Sequence, residues 1–131
     1  MYDGWLNDDY WSIFENDETE IFTNNYNIAK YLPGYEIIGL KGWDDFIIRT
    51  NGITFTVSTV PMHEKYVTEI TLPVLNKLDK DARYAGKIKW YTTPLIVGGN
   101  PTDKANMTFI DIGQHVELVK WWNDQLYGKI A

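Results

Sequence analysis

Three features of the chain predict an α+β fold: a single domain with a mainly antiparallel sheet of about five or six strands, packed by two or three helices, the last of them C-terminal. Asn51-Gly52 separates two runs of alternating apolar residues, the mark of a tight hairpin. Residues 35–40, 45–50 and 53–60 read as strands. Beyond Asp111 the apolar residues change to the three-and-four spacing of a helix.

The hairpin is the firmest element. Asn and Gly tolerate the two positive φ values of a type I′ turn, whose twist suits the flanking strands. Counting outward pairs Thr50 with Ile53, Arg49 with Thr54, Ile48 with Phe55, Ile47 with Thr56, Phe46 with Val57 and Asp45 with Ser58. One face then carries Phe46, Ile48, Phe55 and Val57. The other carries Asp45, Arg49, Thr54, Thr56 and Ser58, with Ile47 its one large apolar member. A slip of one residue would put the phenylalanines in water, so the register is defined.

Before the hairpin, residues 1–22 are acidic but too aromatic for a disordered tail. A short strand is expected at 11–14. Asp17 and Glu20 have capping-box spacing, which predicts a helix from about Glu18 that must end before Pro33. After Pro61, which breaks the last strand of the hairpin region, Leu72, Leu75, Leu78 and Ala82 suggest a helix with Pro73 in its first turn and Gly86 at its end. Residues 88–97 read as a strand in which Pro94 implies an edge or a bulge. A turn at 98–103 leads to a strand at 107–110. Asp111 and Gln114 again have capping-box spacing and open the final helix, with Gly128 placed to cap it. Val116, Val119, Trp122 and Leu126 form its inner stripe. Leu118 and Trp121 widen the stripe, so either both sides of this helix are covered or Trp121 lies on a partner surface.

At 131 residues the chain can bury one core without staples. It has no cysteine, which excludes disulfides and thiolate metal sites. No apolar run approaches the roughly 18 residues of a membrane span, and the acidic start is unlike a signal peptide. A soluble cytoplasmic protein, monomer or weak dimer, is expected. The net charge of −6 is uneven. Residues 1–48 hold ten acids against Lys30 and Lys41, or −8; residues 49–131 hold ten bases against eight acids, or +2. That balance argues against nucleic acid as partner, since phosphates need clustered Lys and Arg, and it suits a basic protein. The rival reading is a solvated face that keeps the protein soluble.

From Asn24 or Asn25 the chain runs through Tyr26, Ile28, Tyr31, Leu32, Pro33, Gly34, Tyr35, Ile38, Gly39 and Gly42. Over about residues 11–62 this pattern resembles the middle of the Smi1/Knr4 (SUKH) superfamily, in which a short helix passes through Leu-Pro-Gly into a strand ending in Ile-Gly. The chain departs from the family where Lys41-Gly42-Trp43 replaces three glycines, and it lacks the family's N-terminal helix with its Leu-Pro and Asn-Gly-Gly segments. The resemblance implies an α+β domain without catalytic residues, cofactor or metal, and in bacteria a frequent role as an immunity protein that occludes a cognate toxin.

The catalytic alternatives find little support in residue spacing. His115 lacks a second histidine at the i+4 place of a zinc-protease pair, where Val119 stands, and His63 lies in a loop. Gly98-Gly99-Asn100 lacks the Lys-Ser/Thr of a phosphate loop. Asp8-Asp9 and Asp44-Asp45 are neighbours that point to opposite faces of a strand. The candidate partner-binding residues are therefore acids and rings: Trp43, Asp44, Asp45, Asp8, Asp9, Trp11, Asp17, Glu18 and Glu20, with Trp43 as the partner-specific anchor. Several of these rings must instead fill the core. Two other functions fit the same composition: an acidic mimic of nucleic acid, and a small-ligand or carbohydrate-binding module.

Overall fold

A computed structural model describes residues 1–129, the side chain of Leu75 excepted. Asn51 and Gly52 turn at φ 51° and 75° and join β4 (Asp45–Thr50) to β5 (Ile53–Ser58). Every pair expected from the turn is present, from Thr50↔Ile53 to Asp45↔Ser58. Around this hairpin stand β1 (Tyr2–Leu6), β2 (Asp9–Ile13), β3 (Glu36–Lys41) and the short β6 (Thr68–Glu69). The six strands lie in chain order, each antiparallel to the one before. A separate hairpin pairs β7 (Ile88–Tyr91) with β8 (Met107–Ile110), and two helices, α1 (Asn16–Asn25) and the C-terminal α2 (Ile112–Leu126), complete the α+β architecture.

Both faces of the sheet are covered. On the main face Tyr10, Leu40, Phe46, Ile48 and Val57 pack with Tyr26 and Ile28 beyond α1, Ile88 and Trp90 of β7, and Val116 and Val119 of α2. A bulge at Ile37/Gly39 lets Ile37 and Leu40, three residues apart, share that face. Gly39 is required there, because a Cβ would run into the Ser12 carbonyl of β2. The opposite face was expected to be polar apart from Ile47. Instead Ile47 is fully buried in a second core with Trp11 and Ile38, closed by Leu6, Ile13, Ile70, Leu72 and Leu78.

That second core explains the largest departure from expectation. Leu72 and Leu78 do not line a helix. The segment is mostly extended, with a single 3-10 turn at Leu75–Lys77, and Asp79 bridges to Trp5 through backbone bonds of 2.8 and 2.9 Å. Pro73 restricts Leu72 to extended geometry, and β-branched residues precede it, so local preference and burial agree on a strap across the sheet.

Three boundaries also move. The tight turn at Asn7 and Asp8, with φ 51° and 67°, adds the unanticipated β1. The capping box of α1 is Glu15 with Glu18, whose carboxylate accepts from the Glu15 amide at 2.9 Å, rather than Asp17 with Glu20. β7 ends at Tyr91 rather than at residue 97. Pro94 cannot extend the ladder and instead precedes a 3-10 turn, Leu95–Val97. The box of Asp111 and Gln114 opens α2 as expected. Among the described residues no helix is long and apolar enough to cross a membrane.

Candidate functional site

The turn between β3 and β4 holds the two most informative residues. Gly42 and Trp43 both sit at φ 61°, a conformation that costs a side-chain-bearing residue about 1–2 kcal/mol. The turn is tied down on both sides. The Gly42 amide donates to Tyr10 at 2.7 Å, and the Thr59 amide donates to the Asp44 carbonyl at 3.0 Å. Trp43 stacks on Tyr10 at 4.6 Å and meets Trp5, Tyr84 and Phe109 edge-on at 5.5–5.8 Å. Such pairs contribute about 0.5–1.5 kcal/mol each beyond their burial, enough together to outweigh the backbone strain.

Trp43 is thus a keystone of the aromatic core and not a projecting anchor, since only 9 % of it is exposed. This corrects the expectation from sequence, and the reason is that β1 and the segment around Tyr84 converge on the turn. Trp11 is corrected likewise. It is 3 % exposed, on the second face, with its indole N–H donating to the Leu6 carbonyl at 2.9 Å.

The acids divide into two groups. Asp8, Asp9, Asp44 and Asp45 gather where the β1–β2 and β3–β4 turns meet, as the pairing of Trp11 with Lys41 requires. Asp17, Glu18 and Glu20 lie on α1, which is anchored near the start of β3 by a bond from the Ile37 amide to Thr23 Oγ1. They do not extend the first group. Glu18 is paired with the terminal ammonium at 2.7 Å. Burial works against its charge, but the Glu15 amide and that ammonium hold it below its usual range.

At the first group Lys41 stands 3.6 Å from Asp9, and Lys89 stands 3.4 Å from Asp44. Four acids against two lysines leave a local −2. Burial pushes Asp44 above its ordinary carboxylate value, only partly opposed by Lys89, and Asp45 above its own, with Lys41 opposing and Asp9 adding. Lys89 is itself disfavoured by burial. Asp44 and Tyr91 outweigh that and keep its pKa above the usual range. Its ammonium lies 5.0 Å from the Tyr91 ring centre and 5.8 Å from that of Trp43.

Beside this charged cluster runs a groove of about 390 Å³, within the usual range for ligand sites. Trp43, Asp44 and Lys89 line it, together with residues 58–61 and Tyr66 on one chain segment and Trp90, Tyr91, Pro94, Leu95 and Ile96 on another. The lining is predominantly apolar. Leu95, Ile96 and Val97 are 42–45 % exposed, an arrangement that runs against burial unless something covers it. The loop that presents them is held by Asn106, which accepts from the Thr93 amide at 2.7 Å and donates to the Thr93 and Asn100 carbonyls.

The sequence reading missed this aliphatic turn, together with Lys89 and Tyr91. Its signal was Pro94 ahead of three consecutive aliphatics and a Gly-Gly pair, a pattern that suits a presented turn better than a strand. The histidines take structural places. His115 is fully buried with Nδ1 2.7 Å from the Tyr26 hydroxyl, and His63 Nδ1 accepts from the Lys65 amide at 3.2 Å. Among the described residues no group of His, Asp and Glu is arranged to hold a metal ion.

No family model matches the chain, and no curated protein or solved structure gives a significant match.

Proposed function

We propose that this is a non-enzymatic protein-binding domain of the Smi1/Knr4 type, a cytoplasmic immunity protein that neutralises a basic toxin domain by occlusion. The observation that carries the reading is the meeting, at one end of the sheet, of an apolar groove with a partly buried carboxylate, Asp44, whose charge Lys89 only partly offsets. An exposed aliphatic turn supplies contact area, and the acids supply steering and exclusion of wrong partners. The toxin's own Lys or Arg residues would pair with these acids and so be withheld from its substrate.

The test is co-purification with the protein encoded by the adjoining gene, followed by a growth assay of that protein with and without this chain. A stable complex and restored growth are expected. A complex that leaves toxicity intact, or no complex, sinks the reading.

One observation favours a second reading, a small-ligand or carbohydrate-binding module: the groove is lined by Trp43, Tyr66, Trp90 and Tyr91. Saturable quenching of tryptophan fluorescence by a simple sugar, lost in Tyr66→Ala, would select it. A nucleic-acid mimic draws no such support, because the acids are split between two places and several are paired internally.

A further inference from the structure

We infer that the groove binds a segment of a partner protein in which an aliphatic side chain stands next to an arginine, the aliphatic group against Leu95 and Ile96 and the guanidinium at Asp44. This deepens the protein-binding reading above and rests on it. Asp44 is only partly satisfied. Lys89 lies 3.4 Å from Asp44, longer than the roughly 2.7–2.9 Å of a fully formed charge-assisted bond, so the carboxylate keeps accepting capacity. Asp45 adds a second negative charge close enough to act on Asp44, and with Asp9 beside it the three acids face only Lys89 and Lys41, which leaves this end of the sheet net negative by one and receptive to one more cation.

Tyr91, partly exposed on the groove wall, already draws the Lys89 ammonium to within 5.0 Å of its ring centre. A planar guanidinium can stack on such a face while pairing in bidentate fashion with a carboxylate, which an ammonium cannot do. Leu95 and Ile96 are exposed next to Pro94, which is buried, so the turn presents its aliphatics from a fixed base. An occupant that is only cationic would leave them in water, and one that is only apolar would leave Asp44 short of a partner.

The probe is N-acetyl-leucyl-arginine amide, with its neutral isostere N-acetyl-leucyl-citrulline amide as control, titrated into the isotopically labelled protein and followed by NMR. Expected are saturable shifts of the Trp90 indole and the Leu95 and Ile96 methyls, with the citrulline peptide about 10- to 100-fold weaker, as loss of a charged hydrogen-bond partner implies. In Asp44→Asn the preference for arginine should vanish. In Ile96→Ser both peptides should weaken together while the preference remains.

Equal binding of the two peptides, a preference that survives Asp44→Asn, or shifts confined to another face overturns the assignment. So does self-association at high concentration that Ile96→Ser abolishes, since the occupant would then be a second copy. The two proposals fail separately. Peptide binding without neutralisation of the adjoining gene's product removes the immunity reading alone. Neutralisation that is undiminished in both Asp44→Asn and Ile96→Ser removes the groove alone.

Discussion

Trp43 shows how a single residue can be legible as important and misread in role. Its place in a glycine-rich turn marked it as unusual, but the direction of its ring depended on β1, on Tyr84 and on Phe109, which are distant in sequence. Two terms compete at this position. Removing a buried tryptophan ring typically costs about 3–5 kcal/mol, whereas the positive φ costs about 1–2 kcal/mol. Trp43→Ala should therefore lose about 3–5 kcal/mol in urea denaturation, because it gives up the ring and keeps the strain. Trp43→Gly gives up both, and should be the more stable of the two by up to about 1 kcal/mol once glycine's greater unfolded-state freedom is counted. The reverse order would mean that the backbone at this turn is not strained. Asp44 and Asp45 were legible as acids, yet not as partly buried ones, since the packing that buries Asp44 and brings Lys89 to it comes from a strand more than forty positions away in the chain.

At the scale of elements, the outcome divides by where the decisive interactions lie. The β4–β5 hairpin was readable to the residue because its turn and register are local. The capping box of α2 was readable for the same reason. The strap at 70–79 was not, because leucines spaced three apart satisfy a helical period as well as they satisfy a second core, and only the sheet's buried second face decides between them. The turn at Leu95–Val97 is the case with functional weight. Asn106 is the buried hinge of the loop that carries it, and its side chain serves the amide and carbonyl of Thr93. Asn106→Ala should cost about 1–3 kcal/mol, since those groups lose their partners. Hydrogen exchange should quicken from 92 to 106 while α2 stays protected. Uniform loss of protection across the chain would show that the loop is no separate unit.

For the molecule as a whole, the two cores make the sheet a middle layer, and the main one closes over a buried histidine. His115 meets the Tyr26 hydroxyl at 2.7 Å, and its Nε2 has no partner among the described groups. Burial pushes its pKa down to about 3. The unfolded chain takes up a proton near the ordinary value of about 6.5 and the folded one does not. Between those limits the unfolded state holds the extra proton, so stability is whole above 6.5 and is lost as pH falls toward 3. The slope is about 1.4 kcal/mol per pH unit, or about 2.7 kcal/mol by pH 4.5. Other groups act over the same range. Asp124, held low by Lys30 and Tyr31, adds to the loss, while Asp44 and Asp45, held high by burial, oppose it. A single acid titration therefore cannot isolate the histidine, but a difference can. His115→Leu removes the titrating group and the unpartnered nitrogen, and leaves the Tyr26 hydroxyl short of its acceptor, a penalty of about 1–3 kcal/mol near neutral pH. The stability gap between the native chain and His115→Leu should shrink steadily as pH falls from 6.5 and change sign between about pH 5.8 and about pH 4.4, as measured by urea unfolding at fixed ionic strength. Parallel curves over that interval would mean that the imidazole is hydrated or charged in the folded protein, and that the core between α2 and the sheet is more open than its packing implies.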